Sequence, residues 1–202
     1  MKTAYRTHTC GELTAEHVGQ DAAVCGCVHT LRSQGRVLFV LIRDRYGLTH
    51  VTFRWDLDAE LLQASEAVRP EWVIRAEGKV LARPAEAVNE KMPTGHVEVE
   101  ARTLEVLSKS EVPPFHPSEH ADAGTEIRLR YRYLDLRRER MQEVLRERAA
   151  ILSRMRTHLE GHGFTEVETP ILTRSTPEGA RDYLVPSRVR PGNFFALPQS
   201  PQ

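Results

Sequence analysis

Five β-type runs between positions 21 and 107, with one helical run after the third, constrain this chain more than any other feature. The pattern predicts strands over Ala23–Arg32, Val37–Asp44 and Leu48–Arg54. Arg45-Tyr46-Gly47 reads as a tight hairpin turn, with the glycine available for a positive φ. Asp58 is placed to cap a short helix reaching about Val68, with Leu61, Leu62 and Ser65 at helical spacing, and Pro70 ends it. Glu71–Val80 and His96–Leu107 complete the set, the latter with Val97 and Val99 in strict alternation. Between them Leu81–Thr94 is a polar loop interrupted by Pro84 and Pro93.

Three strands, a helix and two more strands is the element order of the OB-fold, an all-β five-stranded Greek-key barrel. Such barrels commonly bind oligonucleotides on strands two and three and on the loops joining strands one to two and four to five. Other small barrels share the order, so the order alone does not decide function. Alternation along the second strand sends Leu38, Val40 and Ile42 to one face and Phe39, Leu41 and Arg43 to the other.

Residues 108–138 read as a linker, stiff and extended at Val112-Pro113-Pro114-Phe115-His116-Pro117 and polar from Ser118 to Thr125. A helix is predicted from about Arg140 to His162, because Met141, Val144, Leu145, Ile151, Leu152, Met155 and Leu159 recur at spacings that make one broad apolar stripe. Gly161 and Gly163 close it. Phe164–Thr169 alternates like a strand and runs into Pro170. The organisation expected is a barrel over 1–107, a hinge over 108–138 and the opening of a second, α+β domain over 139–202.

Composition narrows the setting. The formal net charge is zero, with 40% hydrophobic and 28% charged residues, as in ordinary globular domains. No apolar run approaches the roughly 20 residues that span a bilayer, and the N-terminus lacks the apolar core of a secretory signal. Three cysteines argue against a disulfide framework. Cys25 and Cys27 are too closely spaced for a zinc knuckle, so two reduced structural thiols in a cytoplasmic protein are expected, with no metal site and no membrane. Arginines crowd the stretch from Arg128 to Arg156, which reads as a solvated helix with i,i+4 pairs or as a surface for a polyanion.

Two stretches are specific enough to carry a family resemblance. Gly163-Phe164-Thr165-Glu166-Val167-Glu168-Thr169-Pro170 resembles motif 1 of the class II aminoacyl-tRNA synthetases, which builds their dimer interface. Ser175-Thr176-Pro177-Glu178-Gly179-Ala180-Arg181-Asp182-Tyr183-Leu184-Val185-Pro186 resembles the substrate loop of the bacterial aspartyl members. Phe195-Ala196-Leu197-Pro198-Gln199-Ser200-Pro201-Gln202 is similar to the amino-acid pocket segment that follows it, and Tyr131-Arg132-Tyr133-Leu134-Asp135-Leu136-Arg137 to the entry into the catalytic domain. The resemblance covers essentially the whole chain in the family's order.

That resemblance implies an ATP- and magnesium-dependent ligation of aspartate to tRNA(Asp), with tRNA(Asn) as a second candidate substrate, by a cytoplasmic homodimer with Pro170 at its interface. It implies that Glu178, Ser200 and Gln202 bind aspartate, and that Arg32, Phe39, His50 and Glu98 bind the anticodon. Phe39 would offer a stacking platform to an unpaired base. The rival reading is a tRNA- or single-strand-binding barrel with no catalytic role. Motifs 2 and 3, which hold ATP in the family, are not found in the 202 residues, so this polypeptide alone is expected to bind no ATP or magnesium and to form no aspartyl-adenylate.

The chain departs from the family where bases are read. Thr30, Leu31 and Ser33 stand where the family usually has two arginines and an aspartate, Leu41 stands for an aspartate, and His50 for a glutamine. The lost arginines should weaken RNA binding and flatten its salt dependence.

Overall fold

A computed structural model describes residues 2–118, 123–175 and 182–197. They divide into two compact units, one of residues 2–116 and 123–131, the other of 117–118, 132–175 and 182–197.

The first unit is built on β1 (Asp21–Gln34), β2 (Val37–Asp44), β3 (Gly47–Arg54), helix α1 (Ala59–Glu66), β4 (Val73–Ala82) and β5 (Val97–Ser108). The strands close into a barrel in the order β1-β2-β3-β5-β4, antiparallel throughout except for the β3–β5 pair. This is the OB-fold order expected from the sequence. Closure rests on the length of β1, which runs two residues past the expected strand at each end. Its first half pairs with β4 over Asp21–Cys27 and its second half with β2 over Cys27–Gln34, with a bulge between Val28 and Thr30. A bulge bends a strand and raises its twist, which lets one strand belong to both walls of a barrel. Gly26 sits just before this bend, where a Cβ would collide with the carbonyl oxygen of Arg43 on β2.

The alternation read from the sequence becomes an inside and an outside. Val24, Val28, Val40, Ile42, Val51, Phe53, Ile74, Val80, Val97 and Val99 fill the interior, and Leu62 of α1 joins them. Asp58 caps α1, its carboxylate accepting from Leu61 N–H at 2.8 Å. The β2–β3 hairpin closes through Arg45 and Tyr46, held by Asp44: Oδ1 accepts from the N–H groups of Tyr46 and Gly47 at 2.7 and 3.1 Å. The other oxygen, Oδ2, accepts from Cys10 N–H at 3.0 Å and from Arg6 at 2.9 Å, fastening the N-terminal segment to the hairpin. Cys10, Cys25 and Cys27 are free thiols, and burial pushes the Cys10 thiol well up.

Two short helices, α2 (Thr125–Arg130) and α3 (Arg132–Asp135), occupy part of the expected linker. No side chain caps α2, and Gly124 at its N-cap reads as a loop residue, so the sequence offers no start signal. Helix α4 (Glu139–Gly161) matches the expected long helix. Its end is a Schellman motif: Phe164 N–H donates to Leu159 C=O at 3.1 Å and Gly163 N–H to Glu160 C=O at 3.0 Å, with Gly163 at φ +84°. The apolar stripe of α4 is uncovered, with Ile151 and Met155 each 56% exposed.

Residues 164–170 do not form the strand their alternation suggested. Alternation assigns faces, but a strand exists only through a ladder partner, and among the described residues none pairs with this segment. Instead β6 (Tyr183–Pro186) and β7 (Phe194–Leu197) form a hairpin that the sequence reading did not anticipate, with Thr173 bridged to Ala196.

The two tryptophans of the chain, Trp55 and Trp72, both lie in the barrel unit, so their fluorescence reports its unfolding. Phe53 is fully buried. Phe53→Ala is expected to lower barrel stability by about 3–5 kcal/mol, read as a fall in the urea midpoint of tryptophan fluorescence; a midpoint within error of the wild-type value would show that the barrel core is not organised around it.

Candidate nucleic-acid interface

The outer face of the barrel is set by which β2 residues the core does not take. Phe39, Leu41 and Arg43 point outward and are half-buried, as the alternation predicted. Pairing then assembles two rows across the strands, because residues directly opposite in a ladder share a face. In the first row Phe39 lies between Arg32 on β1 and Thr52 on β3, with Glu100 of β5 beyond. In the second, Leu41 lies between Thr30 and His50, and His50 lies beside Glu98. Arg32, Phe39, His50 and Glu98, separated by up to 66 positions in the chain, therefore occupy adjacent rows of one surface.

The polar chemistry of that surface is shaped by burial. Glu98 forms an ion pair with Arg83, whose Nε lies 3.2 Å from Oε2 without the alignment of a hydrogen bond, and both side chains are mostly buried. Thr52 Oγ1 donates a long hydrogen bond of 3.5 Å to the other oxygen, Oε1. One oxygen is thus engaged by charge while the other is only weakly held. The pKa of His50 is pushed down to about 4 by burial and by the nearby Arg83 cation. Its Nε2 is buried and has no hydrogen-bond partner among the described residues. A neutral imidazole with a buried, unsatisfied nitrogen carries a cost of about 1–3 kcal/mol.

A second cluster sits at the β1 bulge. Arg43 donates to both oxygens of Glu71 at 2.8 and 2.9 Å, and its other terminal nitrogen lies 2.8 Å from His29 Nδ1. A guanidinium can only donate, so His29 Nδ1 accepts and the ring is neutral with its proton on Nε2. His116 donates from Nε2 to the His29 carbonyl at 2.5 Å, with the two rings 4.8 Å apart. Burial, then Arg43 and His116, hold the His29 pKa down to about 4 against the opposing pull of Glu71. Glu71 itself takes a positive φ of +65°, a strained choice for a glutamate. This cluster pins His116 of the expected linker to the barrel beside the outer rows.

Sequence reasoning missed Arg83, Thr52 and this cluster. Thr52 was legible, since period two carries outward from His50 to position 52. Arg83 and His116 were not: Arg83 lies one residue past β4 and His116 in the segment after β5, and neither position has a strand alternation to assign its face. The expected aspartate-binding residues Glu178, Ser200 and Gln202 lie outside the described residues. Pro170 is exposed. Among the described residues no group of three or more His, Cys, Asp or Glu side chains is gathered to hold a metal ion, and no helix is long and apolar enough to cross a membrane.

The comparisons with known proteins agree with the barrel fold. Residues 22–107 match the family described as "OB-fold nucleic acid binding domain", and residues 124–202 match "tRNA synthetases class II (D, K and N)". The two matches, side by side in one chain, place it with the class II aminoacyl-tRNA synthetases. Within them its relatives at 50–56% identity are proteins named aspartate–tRNA(Asp/Asn) ligase. It is 56% identical over its whole length to the aspartate–tRNA(Asp/Asn) ligase of Acidobacterium capsulatum, covering 33% of that protein. It is 53% identical over 98% of its length to the enzyme of the same name from Rubrobacter xylanophilus, again covering 33%. The chain thus spans about a third of the length of these relatives. Among solved structures, asparaginyl-tRNA synthetase from Pyrococcus horikoshii complexed with asparaginyl-adenylate matches 96% of this chain and 43% of its own, at 26% identity and a TM-score of 0.79.

Both depressed histidines give stability a definite pH dependence. Each ring ordinarily titrates near 6.5 and is held near 4 when folded. Between those values the unfolded chain binds more protons than the folded one, so the contribution is complete above pH 6.5 and is lost as pH falls towards 4. His50→Gln is expected to flatten the urea-midpoint slope between pH 7 and pH 5; an unchanged slope would mean that His50 titrates normally.

Proposed function

We propose that this chain supplies the anticodon-binding barrel and the opening of the catalytic domain of an aspartate–tRNA ligase, reading tRNA(Asp) through Arg32, Phe39, His50 and Glu98. The observation that carries the reading is the convergence of those four residues on one outer face of the barrel, around an aromatic ring that the core does not take up. Phe39 stacks an unpaired base, worth about 1–3 kcal/mol. Glu98, one oxygen occupied by Arg83, accepts from a base-edge donor with the other, and His50 offers a neutral nitrogen to a second base.

In the whole protein, the α-carboxylate of aspartate attacks the α-phosphate of ATP, giving aspartyl-adenylate and pyrophosphate with magnesium present. The terminal ribose hydroxyl of the tRNA then takes the aspartyl group and AMP leaves. Glu178 would accept from the substrate ammonium, and Ser200 and Gln202 would line the pocket. The relatives, which are aspartate–tRNA(Asp/Asn) ligases by name, support tRNA(Asn) as a second substrate. The setting is cytoplasmic, and the homodimer uses Pro170 and the uncovered stripe of α4, which needs an apolar partner. The domains of this reading are the barrel over 1–107, the hinge over 108–138 and the catalytic portion from 139.

The test is binding of fluorescent tRNA(Asp) and of an anticodon-substituted version to the 202-residue chain. Wild type is expected to prefer tRNA(Asp), and Phe39→Ala to lose roughly 5- to 150-fold in affinity, the range corresponding to 1–3 kcal/mol. Equal weak binding of both RNAs, unaffected by Phe39→Ala, would remove the anticodon reader from this barrel.

A further inference from the structure

The β2–β3 hairpin does not end at the base-facing rows. It continues past Leu41 and His50 to a tip at Arg45 and Tyr46, and that tip is built with more care than a solvated turn requires. Asp44 locks its backbone through the two hydrogen bonds to Tyr46 and Gly47. Gly11 packs directly beneath it, where any side chain would collide with the Tyr46 carbonyl oxygen. Gly47 faces Gly11 in turn, a Cβ there lying 3.0 Å from the Gly11 Cα. The tip is therefore ordered without burying the Tyr46 ring, which stays 47% exposed.

Two guanidiniums flank that ring. The Arg6 carbon Cζ lies 5.6 Å and that of Arg45 5.2 Å from its centroid, within the range of a cation–π contact. Arg6 is held in place by its ion pair with Asp44 at 2.9 Å. Arg45 is exposed, has no acidic partner among the described residues and stands in the turn two residues after the outward Arg43. A half-exposed ring flanked by an uncompensated cation, on a rigid support, suits a phosphodiester backbone, the cation meeting phosphate and the uncovered part of the ring a sugar. An acidic peptide would satisfy Arg45 but would offer the ring no sugar to pack against.

We propose that the Arg45–Tyr46 tip is a second RNA contact, made to the phosphate backbone beside the unpaired bases. This rests on the reading of the outer face as the anticodon-binding surface. The three strand steps from Leu41 to Asp44 cover about 10 Å at about 3.4 Å per residue, with the turn at their end. That is the length of on the order of three stacked nucleotides, so the tip reaches backbone next to the bases that the rows face. Contacts to phosphate position an RNA and carry no sequence information, so the tip contributes affinity equally to matched and mismatched anticodons. It also returns some of the positive charge that the chain lacks at Thr30 and Leu31.

Binding of fluorescent tRNA(Asp) and its anticodon-substituted version to the 202-residue chain, over a range of salt, tests this. Arg45→Ala and Tyr46→Ala are each expected to weaken both RNAs by about fivefold or more, and Arg45→Ala to reduce the salt slope by about 1. Arg45→Lys should keep the slope and Tyr46→Phe the affinity, which separates loss of contact from loss of fold. Unchanged affinity and slope in Arg45→Ala and Tyr46→Ala, with Phe39→Ala still weakening binding, overturns the tip and leaves the base-reading face intact. Weakening by the tip variants with no effect of Phe39→Ala overturns the base-reading face and supports the tip as an RNA contact. Absence of any RNA binding by the chain, or a preference of the tip for an acidic peptide over RNA, overturns it as well.

Discussion

Everything on the barrel surface depends on one strand being shared by two neighbours. β1 gives its first half to β4 and its second half to β2, and the handover at the Val28–Thr30 bulge is possible because Gly26 lets the Arg43 carbonyl approach the backbone. Without that shared strand there would be a flat sheet with open edges and no distinction between an interior and an outer face. With it, the alternating residues of β2 and β3 are sorted into a valine-rich core and a surface that holds Phe39, Leu41 and His50.

The same bend organises the charge. The Arg43 guanidinium serves Glu71 and His29 together, and the neutral state of His29 follows from Arg43 having nothing to accept with. A few residues along the face, Arg83 pairs with Glu98, and burial, with Arg83 nearby, keeps His50 neutral. In both places an arginine is already committed to a carboxylate before any ligand arrives. The face therefore presents hydrogen-bonding groups of fixed protonation beside one exposed cation, Arg32, that has no acidic partner among the described residues. A second such cation stands at the hairpin tip, on Arg45.

How far the chain could be read beforehand varied with the physics of each part. The barrel strands and α1 were legible because period-two and period-3.6 patterns are imposed by a core, and the Asp58 cap and Gly163 stop are local chemistry that needs no tertiary context. The outward direction of Phe39 followed from the same alternation. Residues 164–170 misled because their alternation has no ladder partner among the described residues, and α2 escaped notice because nothing caps it. The β6–β7 hairpin lies in a stretch that motif resemblance described in terms of substrate, with no attention to backbone pairing.

The amino-acid order by itself determined the sequence of elements, the composition of the core and the kinship with aspartate–tRNA ligases, because each is written in local periodicity or in contiguous motifs. Only the tertiary structure decided that Arg32, Phe39, His50 and Glu98 share a face, that Arg83 and His116 belong beside them, and that His50 and His29 are neutral. Those facts arise from register and burial, which join residues distant in the chain and set the local dielectric, and neither is carried by any short stretch of sequence.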